Sequence, residues 1–124
     1  MMASSQLVAF VPARDFPTAR AFYEGVLGLR FVDQDPFALV LDSNGIMVRV
    51  AKVVDFTPGP QTVLGWIVKD INSHVAELEK RGIAFERYGF LEQDEHGIWT
   101  APGGARGAWF KDPDGNVLSL TQLA

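Results

Sequence analysis

Residues Leu7 to Ala13, LVAFVPA, form a short apolar run that stops at Pro12 and the Arg14-Asp15 pair, which reads as a β-strand. The next stretch, DFPTARAFYEGVLG, changes period. Phe16, Ala19, Phe22, Tyr23, Val26 and Leu27 recur at helical spacing, Pro17 occupies the permitted first turn, and Gly28 is placed to cap the C-terminus. Three strand-like runs follow, LRFVD, FALVL and GIMVRVA, the last two joined by the turn-forming Asp42-Ser43-Asn44-Gly45. The segment KVVDFTPGPQT, with prolines on either side of Gly59, reads as a linker.

Beyond the linker the pattern repeats. VLGWIVKD (Val63 to Asp70) matches VAFVPARD (Val8 to Asp15) in length and ending, and both precede a helix. The second helix, INSHVAELEKRG, carries Ile71, Val75 and Leu78 on one face and ends at Gly82, as the first ends at Gly28. DPDGNVLSL (Asp112 to Leu120) repeats DSNGIMVRV (Asp42 to Val50). Strand, helix and three strands are therefore stated twice, as module 1 over residues 7–51 and module 2 over 63–122, with 52–62 between them in a single domain spanning 1–124. In such a module the helix shields one face of the sheet. Pairing two modules predicts an α+β fold of two βαβββ modules, a curved mixed sheet with helices outside and a concave cleft inside.

Composition narrows the function. The chain has 124 residues, 48% of them apolar and 11% aromatic, enough for a folded core. Eleven basic against 15 acidic residues give a net charge of −4 with no long run of either sign, which argues against nucleic acid or an anionic membrane as partner. Without cysteine there is no disulfide, thiolate metal site or cysteine nucleophile. MMASSQLVAF lacks a signal-peptide pattern and no apolar run is long enough to span a bilayer, so a cytoplasmic location is expected.

The motif AFYEGVLGLRFV after a strand and Asp15, together with WFKDPDGNVLSL near the end, resembles the vicinal oxygen chelate superfamily of glyoxalase I, bleomycin-resistance proteins, fosfomycin-resistance enzymes and extradiol dioxygenases. The resemblance covers residues 7–122. In metal-dependent members a His or Gln of each module's first strand and a Glu of its last hold the metal. By position these sites fall on Val8, Val63, Arg49 and Ser119. Valine has no lone pair, arginine repels a cation, and a neutral serine is a poor ligand. The expected site therefore has no metal ligands, no catalytic residues and no cofactor. His74 belongs to the helical layer, and His96 closes the charged loop LEQDEH, whose Glu92, Asp94 and Glu95 read as a solvated surface, with adventitious chelation of an ion or a lid as the other readings of that loop.

Strand alternation then says what lines the cleft. With the resemblance placing Val8, Val63, Arg49 and Ser119 inward, Phe10, Pro12, Met47, Gly65, Ile67, Val117 and Thr121 share their face. Pairing Ala108 with Ser119 and Phe110 with Val117 across the turn adds Phe110 and Arg106, and leaves Trp66, Leu118 and Leu120 as core. Trp99 stacks on a planar ligand or packs under its loop or at a subunit contact; Arg49 meets a ligand or an acidic partner at an interface. The expected ligand-binding set is Phe10, Met47, Arg49, Gly65, Ile67, Trp99, Arg106, Phe110, Ser119 and Thr121.

An apolar, aromatic cleft with one or two arginines and two hydroxyls suits a small organic molecule with a flat apolar part and an anionic or carbonyl group. The first expectation is a metal-free drug- or metabolite-binding protein of the antibiotic-resistance type, which sequesters its ligand and, as the resemblance implies, is a homodimer. The net acidity suits a cationic drug, whereas an inward Arg49 works against one. The alternatives are a lyase, isomerase or dioxygenase with relocated metal ligands, and a non-catalytic protein whose cleft is a dimerisation surface.

Overall fold

The computed structural model describes all 124 residues. They divide into two compact units, Met1–Thr57 and Pro58–Ala124.

Unit 1 contains β1 (Val8–Ala13), α1 (Phe16–Arg20), β2 (Arg30–Gln34), β3 (Ala38–Ser43) and β4 (Ile46–Lys52). Asp15 caps α1 by accepting the Thr18 N–H at 2.9 Å. The first helix is not α-helical throughout: Ala21–Val26 is wound as a wider π-turn, and the Leu27 N–H reaches the Phe22 carbonyl, five residues back. The wider turn allows two consecutive aromatics, Phe22 and Tyr23, to be buried together, ring edge to ring face at 5.0 Å. Gly28 ends it at φ +78°, a conformation open to glycine at little cost.

The four strands form one mixed sheet in the order β1-β4-β3-β2, with β1 parallel to β4. Val11, Ala13, Leu39, Leu41, Val48 and Val50, one alternate set, are buried with Phe16 and Ala19 of α1. Burial of each larger side chain contributes about 1.5–3 kcal/mol.

Unit 2 repeats this order with β5 (Thr62–Ile67), α2 (Ile71–Lys80), β6 (Trp99–Thr100), β7 (Arg106–Lys111) and β8 (Val117–Gln122), arranged β5-β8-β7-β6. Its first strand is again parallel to its last. Ile71, Val75 and Leu78 of α2 are buried, as are Ala108, Phe110, Leu118 and Leu120 of the sheet. Gln122 ties sheet to helix by accepting the Ile71 N–H at 2.9 Å. Between α2 and β6 the chain is irregular. It is held by Gln93, whose amide donates to the Glu86 and Gly97 carbonyls, both at 2.8 Å, and accepts the Tyr88 N–H at 2.7 Å.

The β7–β8 connection corrects the pairing expected from sequence. Asp112 pairs with Asn116, its N–H donating to the Asn116 carbonyl at 3.0 Å, while Gly115 adopts φ +91°. Three residues, Pro113, Asp114 and Gly115, thus form the loop, with glycine in the left-handed position of a G1-bulge hairpin. Asp112 braces it by accepting the N–H groups of Asp114 and Asn116. The odd loop shifts the register by one: Phe110 pairs with Leu118, Ala108 with Leu120, and Trp109 with Ser119. A one-residue shift moves each side chain of β7 to the opposite face.

Candidate functional site

Each unit leaves one face of its sheet without a helix of its own. In unit 1 that face carries the cross-strand row Phe10, Arg49, Val40 and Asp33, beside the row Val8, Met47, Asp42 and Arg30. Phe10 is 61% exposed, which is high for a phenylalanine in a sheet. Arg49 forms no salt bridge. Its charge adds to the backbone N–H groups of Phe37 and Ala38, which hold the Asp35 carboxyl below its usual pKa.

In unit 2 the open face carries two rows. One runs Gly65, Ser119, Trp109; the other runs Ile67, Thr121, Gly107, Trp99. Two positions of the predicted set are corrected here. Phe110 is fully buried with Leu118 and makes an edge contact with Phe85 at 5.6 Å. Arg106 is paired with Gln122 and donates to Asn72 on α2 at 3.2 Å, so it belongs to the helix side. The odd loop at Pro113–Gly115 is the cause of both. Trp109, absent from the predicted set, takes the open-face position beside Ser119.

Trp109 is the centre of an aromatic array. Its ring lies 6.2 Å from Trp99, tilted by 40°, and 5.6 Å from Tyr88 in an edge-to-face contact. Tyr88 in turn lies 5.7 Å from Phe90, which is 83% exposed. Beside Trp99 is a depression of about 700 Å³, lined by Phe90, Leu91, Gln93, Ile98, Thr100 and Pro102 along with Glu92 and Asp94. Desolvation, aided by the Glu86 charge, raises the Tyr88 phenol pKa, so this group stays neutral at physiological pH. The carboxylate of Asp94 is occupied in holding the loop, accepting the His96 and Ile98 N–H groups at 2.9 Å. His96 lies 3.2 Å from Glu79 on α2, and the His74 ring lies 2.9 Å from the Asp70 carbonyl.

The comparisons with known proteins agree with this architecture. A family model described as the Glyoxalase/Bleomycin resistance protein/Dioxygenase superfamily matches residues 6–120. The chain belongs to that superfamily. Among solved structures it is similar to TnmS3, an antibiotic binding protein from Streptomyces sp. CB03234, with 25% identity over 100% of this chain and 99% of that one, at a TM-score of 0.76. A superfamily member from Sphaerobacter thermophilus DSM 20745 is 23% identical over 99% and 100% of the two chains, with a TM-score of 0.75. Lactoylglutathione lyase from Agrobacterium tumefaciens is 17% identical over 96% and 93%, with a TM-score of 0.74. No curated protein matches the chain by sequence.

Superfamily membership raises the question of a metal. No group of three or more His, Asp or Glu side chains converges where it could hold one. The positions that the resemblance assigns to ligands offer little: Val8 and Val63 are apolar, Arg49 is a cation, and Ser119 is a neutral hydroxyl beside Gly65. In neither unit do these residues fit a catalytic divalent ion, which takes three good protein ligands. No helix is long and apolar enough to cross a membrane.

Proposed function

We propose that the protein binds and sequesters a small, flat organic molecule, without a metal and without changing a covalent bond in it. The observation that carries this reading is the array that Trp99 and Trp109, on a sheet face that no helix of its unit covers, form with Tyr88 and Phe90 of the adjoining loop. Aromatic pairs contribute about 0.5–1.5 kcal/mol beyond burial, and rigid rings lose little conformational entropy when they meet a planar partner. Ser119 and Thr121 place hydroxyls on the same face and supply the few polar contacts that fix orientation. The open face of unit 1 is a separate candidate surface, with Arg49 beside Phe10 as its cation for an anionic or carbonyl group. The antibiotic-binding neighbour TnmS3 supports capture as the activity. The reading includes a homodimer, which sedimentation at micromolar concentration tests, and a cytoplasmic location, which cell fractionation tests.

The deciding experiment has two arms. Protein loaded with Zn, Ni, Mn or Fe and dialysed exhaustively retains less than about a tenth of an equivalent; near one equivalent per chain or per dimer gives the lyase, isomerase or dioxygenase reading first place. Anthracene-9-carboxylate quenches tryptophan emission saturably with a Kd of about 1–100 µM, which is about −8 to −5.5 kcal/mol. Absence of saturable quenching by this and other planar aromatic acids removes the binding reading.

A further inference from the structure

Two glycines interrupt the open face of unit 2, and they are filled in different ways. A Cβ added at Gly65 would lie 2.5 Å from the Ser119 hydroxyl oxygen. Rotation about a single side-chain bond moves that oxygen away, so Gly65 constrains little. A Cβ added at Gly107 would lie 3.3 Å from Cη2 and 3.5 Å from Cζ2 of Trp109. The indole thus lies back along its own strand, over the position where residue 107 has no side chain. Gly107 is buried, lies between Trp99 and Thr121 in the sheet, and has none of the positive-φ backbone that requires glycine elsewhere in the chain. The turn and C-cap glycines have a conformational reason; the reason at Gly107 is space.

We infer that Gly107 is the positioning residue for Trp109: by lacking a side chain it lets the indole lie flat, and so sets the width of ring system that the array accepts. This rests on the reading above that the array binds planar ligands. An alanine at 107 makes the ring yield by a few tenths of an ångström. A valine, with two further carbons, fills the space and turns the indole off the sheet, because a rigid bicycle has no smaller adjustment available. The erect ring then stands where a wide ligand would lie and leaves room only for a narrow one. Valine is a strand former and glycine is disfavoured in strand interiors, so neither substitution opposes the β conformation of this strand.

The test compares Gly107→Ala and Gly107→Val with wild type, using two probes and one signal that needs no ligand. The ligand-free signal is Trp109 emission and near-ultraviolet circular dichroism in a Trp66→Phe/Trp99→Phe background. Expected are a changed Trp109 spectrum in the valine variant and a smaller change in the alanine variant. In the native tryptophan background, anthracene-9-carboxylate affinity falls at least tenfold with valine, while benzoate affinity changes less than threefold. An unchanged Trp109 spectrum in the valine variant overturns the inference. A changed spectrum with equal losses for both probes overturns its selectivity half. If wild type binds neither probe, the functional reading fails and the Trp109 spectrum still decides the role of Gly107. Should the valine variant fail to fold, the alanine variant carries the same comparison with smaller changes.

Discussion

Truncation of Phe110 and of its neighbour Trp109 separates core from site by a single position. Phe110 is 0% exposed, packed with Leu118 and edge-on to Phe85. Removing a fully buried phenylalanine costs about 3–5 kcal/mol, from lost transfer energy and from the cavity left behind. Against a typical total of about 5–15 kcal/mol this is a large fraction. For a chain of this size it lowers Tm by roughly 10–20 °C. Trp109 is half-buried on the open face, and its removal costs about 2 kcal/mol, roughly half the value for a fully buried aromatic. The assay is urea unfolding of Phe110→Ala and Trp109→Ala followed by circular dichroism at 222 nm, which does not depend on the tryptophan itself. The expected order is a greater stability loss for Phe110→Ala and abolished anthracene-9-carboxylate quenching for Trp109→Ala alone, after correction for the missing fluorophore. A smaller loss for Phe110→Ala than for Trp109→Ala would refute the β7–β8 register and the assignment of the site built on it.

Further expectations concern the loop and the titrating groups. Gln93→Ala leaves the Glu86 and Gly97 carbonyls and the Tyr88 N–H without their side-chain partner; it costs about 1–3 kcal/mol and increases amide exchange across residues 86–98 in hydrogen-exchange measurements. The Tyr88 phenol titrates above 10 because burial opposes its charge. The folded state therefore holds this proton more tightly than the unfolded chain, and stability falls as pH rises past the unfolded value near ~10, read by absorbance at 295 nm and by alkaline unfolding. The Asp15 carboxyl is lowered chiefly by the Thr18 N–H, then by the Thr18 side chain. Its contribution is present above the unfolded pKa of ~3.9 and is lost as pH falls through the lower folded value; Asp15→Asn flattens that part of the acid profile.

Much of the fold was legible because its signals are local. Asp15 and Asp70 cap the two helices, Gly28 and Gly82 take positive φ at their ends, and the alternation of Val11, Ala13, Val48 and Val50 against Phe10 and Arg49 marks the covered face of unit 1. The π-turn at Ala21–Val26 was not legible, since Phe22 and Tyr23 fit an α-helical stripe nearly as well and only packing selects the wider winding. Nor was the array around Tyr88 and Phe90, whose segment has no period and is ordered by the side chain of Gln93.

The misplacement of Phe110 and Arg106 has a sharper cause in the two turns. Asp42-Ser43-Asn44-Gly45 and Asp112-Pro113-Asp114-Gly115 look equivalent as strings, but they close differently. In the first, Ser43 pairs with Ile46 across two residues, Asn44 at φ 48° and Gly45 at φ 89°, as a type I′ hairpin requires. In the second, Pro113 stands where Ser43 stands in the first, and proline has no backbone N–H to donate across the strand pair, so this position cannot close a two-residue turn in the same way. The chain instead uses three loop residues, and Asp112 pairs with Asn116. One proline thus sets an odd loop, and the odd loop turns Phe110 inward to the core and Trp109 outward to the open face. The aromatic site of unit 2 follows from that exchange: had the second turn closed as the first does, Phe110 and Ala108 would stand on the open face, and the indole that meets Trp99 and Tyr88 would lie under α2.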